Sequence, residues 1–420
     1  MTPRIAVVQH GDVREARRLR AAGKPEPYYG MHYSQGFLDE WMSGQPQCAP
    51  GSTAPLSPTA DQAEPEAKQG WPHLVISLNA PTYRETHGHG TLVGLPEPAA
   101  LPGEPGTLRQ LRWAKRIVRE LRLFSPTHFL LRTGSLLAAT LLRVALRYRW
   151  HTLAMFAGFF PNQRRYDRFI TSQIVRSLNH PLVFAAGNHR QPATDSMVEA
   201  GLLPEKGIAW DYPLARDPAD FPYRQLSPGP SEIVYAGAMS SAKGVTDLID
   251  AVIALKRDNL RLTLCGTGPD LPAFEKRAAT LGDSAQFVGR VGNDEVFRRM
   301  ANASFVCVPT RHEFPEGFPL TLTEALTAHT PILASDHPVF TRVLKDSEGL
   351  RYFPAGNAAA LASLISQLIA NPTTYESLSR RTTEAFAKLQ CPIRFHEIVE
   401  AWLPSNAAQV FNLSGTACSN

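Results

Sequence analysis

The chain has 420 residues, of which 43 % are hydrophobic and 19 % charged, and its formal net charge is +5. That length exceeds what one ordinary core serves, and the composition is that of a folded, water-facing protein. It excludes a single small domain, a wholly disordered chain and a bundle of membrane spans.

The first apolar run, residues 4–8, predicts a buried strand, and His10-Gly11-Asp12 follows as a loop. A glycine there lets an α/β unit turn tightly into a ligand cleft, which makes His10, Gly11 and Asp12 candidates on an acceptor side. The opening MTPRIAVVQHGD lacks the long apolar region of a signal peptide, so a cytoplasmic location is expected. A helix is predicted from Arg14 to Ala22. Residues 42–70, rich in Pro, Ala, Ser and Gln, read as a disordered insertion. The core resumes with a strand at 73–78, and Thr86 to Gly106 reads as a Gly/Pro/His loop.

From Thr107 to Phe124 the period is helical. Leu108, Leu111, Ala114, Val118 and Leu121 form an apolar stripe, and Arg109, Arg112, Arg116 and Arg119 a basic face. A strand (128–131), a helix (136–148) and strands at 153–156 and 182–184 complete a βα series. The longest apolar run, 136–146, contains Arg143 and falls short of the roughly 18 residues a spanning helix needs. Between Arg109 and Arg176 there are fourteen Lys/Arg against two acidic residues, Glu120 and Asp167, a local net of +12. Such a region suits an anionic membrane surface, where each basic residue adds on the order of 1 kcal/mol. It equally suits an ordinary Arg-rich helix facing water. No nucleic-acid motif accompanies the charge.

Residues 211–230 carry five prolines and little periodicity, which places an interdomain linker there. A second βα series follows, with strands at 233–236, 260–264, 286–288, 305–308, 332–334 and 350–353, and late helices at 358–370 and 375–388. A last helix spans 393–402, and the tail from 405 reads as disordered. Beyond the two similar βα halves no internal repeat is visible. Cys48, Cys265, Cys307, Cys391 and Cys418 form no CxxC pair, and Cys265 and Cys307 lie in apolar runs. Reduced thiols are expected, with no disulfide framework or metal cluster.

The chemistry concentrates in the second series. After the strand at 305–308 the chain reads RHEFPEGFPLTLTEALTA from Arg311 to Ala328. Glu316 precedes Gly317, Phe318, Pro319 and Leu320, where proline suits a helix entrance and the free amides of a first turn suit phosphate. Glycine at 317 removes side-chain bulk where a ligand approaches. With seven residues between it and Glu316, Glu324 lies inside the helix, so two carboxylates flank an anion site and can accept from sugar or ribose hydroxyls. Glu313 is a nearby competitor without the following Gly-Phe-Pro. After the strand at 233–236, Gly237 to Gly244 forms a glycine-bounded loop in which Lys243 can neutralise a diphosphate. Gly266-Thr267-Gly268-Pro269 and Gly289-Arg290-Val291 end the next two strands. Each feature also has an ordinary role: helix-capping glutamates, a solvated lysine, turns the chain needs anyway.

The Glu316–Glu324 string resembles the E-x7-E signature of the retaining glycosyltransferases of family 4, which have the GT-B fold. The resemblance covers residues 231–390 almost completely and is topological before that. It implies an α/β protein of two Rossmann-like, doubly wound domains facing a cleft. The first spans 1–215 and is completed by a crossing helix at 391–404; the second spans 225–390 and binds the nucleotide sugar. It implies that Glu324 holds the ribose, that Glu316 and the amides of Phe318, Pro319-flanked, and Leu320 hold sugar and diphosphate, and that Lys243 stabilises the leaving group. Gly237, Gly266 and Gly268 match the family's close-approach turns, and Arg290 and Val291 lie where its members hold the base. Retention without an obligatory metal or other cofactor follows from the same likeness, and no Asp-x-Asp motif is present. The partners it implies are a UDP- or GDP-type nucleotide sugar and a glycan or lipid-linked acceptor in cell-surface polysaccharide or glycoconjugate synthesis; peripheral docking on the inner face of the cytoplasmic membrane is the expectation drawn from the basic region 109–176. Two departures stand out. Ala238 occupies a position where an arginine often follows the first glycine, and Ala157-Gly158-Phe159-Phe160 occupies a place that commonly holds a histidine. His10, His87 and His89 are candidate replacements by loop position. A GT-B sugar-nucleotide epimerase and a non-catalytic nucleotide-sugar-binding protein are the competing readings.

Overall fold

The structure is a computed structural model that describes residues 2–24, 31–43, 70–160, 165–213, 216–256, 259–314, 316 and 318–403. The expected disordered stretches, 44–69 of the insertion and 405–420 of the tail, lie outside the described residues, as does Gly317. The chain divides into two compact units, one holding the residues up to Pro213 together with those from Cys391, the other Leu214–Gln390.

The first unit contains β1 (Ile5–His10), α1 (Val13–Ala21), α2 (Met31–Ser43), β2 (His73–Leu78), β3 (Tyr83–His87), β4 (Gly90–Leu95), α3 (Gly106–Phe124), β5 (His128–Arg132), α4 (Ser135–Arg147), β6 (His151–Phe156), α5 (Arg165–Leu178), β7 (Val183–His189), α6 (Gln191–Glu199) and β8 (Gly207–Trp210). Its sheet runs β3-β4-β2-β1-β5-β6-β7-β8, with only the β3–β4 pair antiparallel. The second unit contains β9 (Ser231–Ala236), α7 (Val245–Leu255), β10 (Leu260–Cys265), α8 (Leu271–Ala278), β11 (Ala285–Gly289), α9 (Asn293–Asn302), β12 (Phe305–Val308), α10 (Leu320–Thr327), β13 (Ile332–Ser335), α11 (Pro338–Thr341), β14 (Leu350–Phe353), α12 (Ala358–Ala370) and α13 (Pro372–Lys388). Its six strands are parallel in the order β11-β10-β9-β12-β13-β14, the doubly wound order that reverses direction between β9 and β12. The chain then returns, and α14 (Phe395–Ala401) packs into the first unit.

Parallel strands covered on both faces should read as continuous apolar runs, and these do. In β1, Ala6 and Val8 enter a core with residues of α3, α4 and α5, while Ile5 and Val7 enter the opposite core with Phe37 and Leu38 of α2 and Phe395 and Ile398 of α14. Cys265, Cys307 and Cys391 are free and buried, and burial pushes the Cys265 and Cys391 thiols up to about 11.

Three expectations are corrected. Residues 86–106 are not all loop: they contain the end of β3 and the whole of β4. The glycines that suggested a loop serve close packing instead. A Cβ on Gly90 would lie 2.0 Å from the His73 ring, and one on Gly94 2.0 Å from the Pro81 carbonyl oxygen. The sequence reading also assigned no helix to 31–43, 165–178 or 191–199, and no strand to 207–210, all of which are formed. Finally, the apolar stripe of α3 is rotated. Trp113, Ala114, Ile117 and Leu121 are the buried face, whereas Leu108 and Leu111 are 52 % and 39 % exposed. Trp113 sets that rotation, because its indole N–H donates to the Leu95 carbonyl at 3.2 Å.

Candidate functional site

In a doubly wound sheet, ligands gather at the carboxyl ends of the strands beside the point where the order reverses. In the second unit that point lies between β9 and β12, so the loop 237–244 and the loop 309–319 must be neighbours. They are stitched together: the Arg311 amide donates to the Ala242 carbonyl at 3.0 Å, and Arg311 grips Asp247 of α7 through two nitrogens at 2.8 and 2.6 Å. The β10 loop joins them. The amides of Gly237 and Met239 donate to the carbonyls of Cys265 and Thr267, both at 3.0 Å, and Asp270 accepts from the amide and hydroxyl of Ser241, both at 2.7 Å.

Two glycines are dictated by this packing. Gly244 has φ 73°, and a Cβ there would lie 1.9 Å from the Pro309 carbonyl oxygen; Gly266 has φ 138°, and its Cβ would lie 1.9 Å from that of Gly237. Gly268 packs similarly against Met239.

Lys243 ends the short turn before α7, and its ammonium donates to Glu316 Oε2 at 2.5 Å, with the two side chains 16 % and 8 % exposed. Thr310 donates its hydroxyl to the same carboxylate at 3.0 Å, and Lys243 lies 4.2 Å from the Phe314 ring centroid. The two residues given opposite roles by sequence, one for phosphate and one for sugar, are therefore in direct contact. An ammonium has three N–H donors, so the bond to Glu316 aims it while leaving donors for other acceptors.

Helix α10 begins at Leu320, with Pro319 as its N-cap rather than its first helical residue, and no side chain caps it. Phe318 is buried. The Leu320 and Thr321 amides are thus at the positive end of the helix. Glu324 is the fifth helical residue. Burial, the dominant cause, pushes its carboxyl up to about 7, against the pull of Arg216 and with a further push from Asp294. No hydrogen bond holds that carboxyl among the described residues, while Arg216 and Asp294 pair with each other. Arg290 is exposed and Val291 half-buried after β11, where Gly289 accepts from the Gly266 amide at 2.7 Å.

In the first unit the order reverses at β1, flanked by β2 and β5. A cavity of about 580 Å³ opens at the carboxyl ends of β1, β5 and β6, lined by His10, Arg132, Met155, Phe156 and the segment Ala157–Phe160. His10 is thus part of this cavity; its Nε2 lies 2.7 Å from the Thr133 hydroxyl, and burial pushes its imidazole pKa down. Gly11 and Asp12 serve the turn instead. Gly11 has φ 92°, and Asp12 caps α1 by accepting from the amides of Arg14 and Glu15. His87 and His89 are placed elsewhere. Strand β4 runs parallel to β2 and starts beside His73, so the β3–β4 turn that carries both histidines lies at the amino end of the sheet, opposite the cavity.

Sequence reasoning missed Arg132 and Asn188. The available signal for Arg132 was a charge immediately after the apolar run 129–131. Asn188, fully buried in β7, holds the loop after β6 by accepting from the Gly158 amide (3.2 Å) and donating to its carbonyl (2.9 Å). The basic count also overstated free charge on α3, because Arg109 pairs with Glu97 at 2.9 Å and Arg112 with Glu104 at 2.7 Å. Among the described residues no cluster of His, Cys, Asp or Glu is suited to hold a metal, and no helix is long and apolar enough to cross a membrane.

Residues 219–385 match the family described as Glycosyl transferases group 1. The chain is 30 % identical over 162 residues to the phosphatidyl-myo-inositol mannosyltransferase of Mycobacterium leprae, covering 38 % of this chain and 42 % of that protein. It is 27 % identical over 238 residues to the MMP alpha-(1->4)-mannosyltransferase of Mycolicibacterium hassiacum, covering 54 % and 56 %. The chain thus spans about half the length of these curated relatives. Two solved structures align over nearly the whole chain: HepE of Anabaena in complex with UDP (TM-score 0.59, 13 % identity, 98 % of this chain and 100 % of that one) and sucrose-phosphate synthase of Thermosynechococcus elongatus (TM-score 0.61, 15 % identity, 98 % and 99 %). Residues 219–385 are thus similar to the glycosyl transferases group 1 family, and the chain's two α/β units have the GT-B fold.

Proposed function

We propose that the protein is a retaining, metal-independent glycosyltransferase that moves a sugar from a UDP- or GDP-sugar to a glycan or lipid-linked acceptor. The observation that carries this reading is the contact of Lys243 with Glu316 at the switch point of the second unit. The donor diphosphate lies on the amides at the start of α10, with Lys243 donating to its oxygens. Glu324 takes the ribose hydroxyls and Glu316 the sugar hydroxyls, orienting the donor without attacking it. Gly237, Gly266 and Gly268 let the backbone come close, and Arg290 and Val291 border the base. Transfer breaks the bond between the anomeric carbon and the β-phosphate oxygen and joins that carbon to the acceptor oxygen, whose proton leaves with the diphosphate. Lys243 lowers the barrier by neutralising charge that develops on the leaving group.

The UDP held by the Anabaena relative and the sugar transfer named for the mycobacterial relatives support this donor class. The acceptor belongs to the first unit, in cytoplasmic synthesis of polysaccharide or glycoconjugate. Peripheral membrane docking is part of the same proposal. On α3 the exposed Leu108, Leu111 and Leu123 adjoin Lys115, Arg119 and Arg122, which suits insertion of leucines among anionic headgroups.

The test is incubation with UDP- and GDP-sugars and a panel of glycan and lipid-linked acceptors, with the product's anomeric configuration read by NMR. Transfer with the donor's configuration kept supports the proposal. Isomerisation of the donor without acceptor would favour an epimerase, and binding without any turnover a nucleotide-sugar-binding protein.

A further inference from the structure

The first unit's cavity contains a charge that its surroundings do not balance. Arg132 ends β5 at the point where the sheet order reverses, and it faces a space walled mainly by Met155, Phe156, Phe159, Phe160, Ile170 and Ile174. Burial lowers its guanidinium pKa, yet an arginine stays charged at any physiological pH. A buried cation normally has a carboxylate against it. Among the described residues Arg132 has none. Its nitrogens donate to Gln9 Oε1 at 2.7 Å and to Ser34 Oγ at 3.2 Å, and its Cζ lies 4.7 Å from the Phe395 ring centroid. These bonds use two of five N–H donors.

The nearest route to a negative charge is indirect. Gln9 donates to Gln35 at 2.6 Å, and Gln35 donates to Asp39 at 2.7 Å; Asp39 is already paired with Arg17 and Arg20. The relay therefore fixes the Gln9 carbonyl toward Arg132 without neutralising it. Asp167, on α5, also lines the cavity, but no ion pair joins it to Arg132. Trp210 also lines the cavity, with its indole N–H buried within the wall. A fixed cation and donors inside an apolar chamber are complementary to a molecule with the converse distribution.

We infer that this cavity binds an acceptor made of an apolar body and one anionic group, phosphate or carboxylate, with Arg132 as the residue that selects the anion. The inference rests on the reading of the first unit as the acceptor side and names the class of molecule that side takes. The anion forms a paired hydrogen bond with the guanidinium, a geometry arginine offers and lysine does not. The methionine, isoleucine and phenylalanine walls take the apolar body out of water.

The experiment is calorimetric titration of the full chain, without nucleotide, below the micelle concentration of each probe. The probes are dodecyl phosphate, dodecanoate, dodecyl maltoside and inorganic phosphate. The expected result is that at least one of the two anionic amphiphiles binds ten-fold or more tighter than both the neutral amphiphile and free phosphate. Phosphate above carboxylate names a phosphorylated acceptor, and the reverse a carboxylated one. Arg132→Gln should abolish the preference and Arg132→Lys retain part of it, with the melting temperature checked for each. Should Arg132→Gln fail to fold, Phe159→Asp is read instead. It adds a negative charge to the half-buried wall and should weaken the anionic amphiphile at least ten-fold more than dodecyl maltoside. Equal binding of neutral and anionic amphiphiles, tighter binding of free phosphate, or a preference that survives these substitutions overturns the inference. Since no donor enters the titration, that outcome leaves the second unit's nucleotide site standing. Failure of that site to bind nucleotides would leave this result intact.

Discussion

Replacing Glu324 with Gln tests whether a carboxyl is held ready, at a cost to the fold, inside α10. Its pKa rises from the usual 4.5 to about 7, mainly by burial. The folded state therefore favours the protonated acid. Stability attached to this group is fully present below about pH 4.5 and is lost as pH rises through 7. At 1.36 kcal/mol per pH unit, a shift of about 2.5 units corresponds to roughly 3 kcal/mol once the group is ionised in both states. Gln copies the shape of the neutral acid, so the variant should match the wild type near pH 5. It should be more stable at pH 8, by about 2–3 kcal/mol relative to that comparison. Denaturant melts of both full-length chains at the two pH values read this directly, and every other titrating group cancels in the difference. A stability difference that does not change with pH would show that the Glu324 carboxyl is not raised by burial. If ribose hydroxyls are what this carboxylate accepts, wild-type donor affinity should also rise with pH through 7, and the variant should lose that dependence.

Lys243→Met leaves Glu316 buried without its cation, which should cost about 2–4 kcal/mol in denaturant melts. It should weaken nucleoside diphosphates far more than nucleosides in a binding titration. Gly244→Ala forces a side chain against the Pro309 carbonyl at a positive φ, and a loss above about 2 kcal/mol in melting experiments is expected. Asp211 is buried against His189 at 2.9 Å and Arg190 at 3.1 Å, and its amide donates to Ile393 where the returning chain rejoins the first unit. Asp211→Asn should cost about 3–5 kcal/mol in melts, because it removes the negative charge from a carboxylate buried against Arg190 and His189.

The second unit was legible because its buried parallel strands read as apolar runs and its loops carry residues with narrow physical uses. Glycines 244 and 266 stand where any Cβ would strike a carbonyl, and Lys243 and Glu316 each sit directly before a glycine in a loop that follows a strand. What could not be read was that the two would bond to each other, since that depends on strands 69 residues apart in sequence, β9 and β12, lying side by side. The first unit was less legible for the opposite reason. Its cavity is built by hydrophobic walls, whose residues look like ordinary core, and by a single arginine one position beyond the predicted strand. Periodicity also failed on α3, where two nearly equivalent apolar stripes compete and the indole of Trp113 decides between them. In β4, packing glycines imitate a turn.

The most direct measurement is calorimetric titration of the full chain at pH 8 with UDP and GDP, each beside its monophosphate, in wild type and in Lys243→Met. At least one diphosphate should bind ten-fold or more tighter than its monophosphate, about 1.4 kcal/mol, and Lys243→Met should erase the gap. Binding of neither diphosphate, or equal affinity for diphosphate and monophosphate in the wild type, would contradict that expectation.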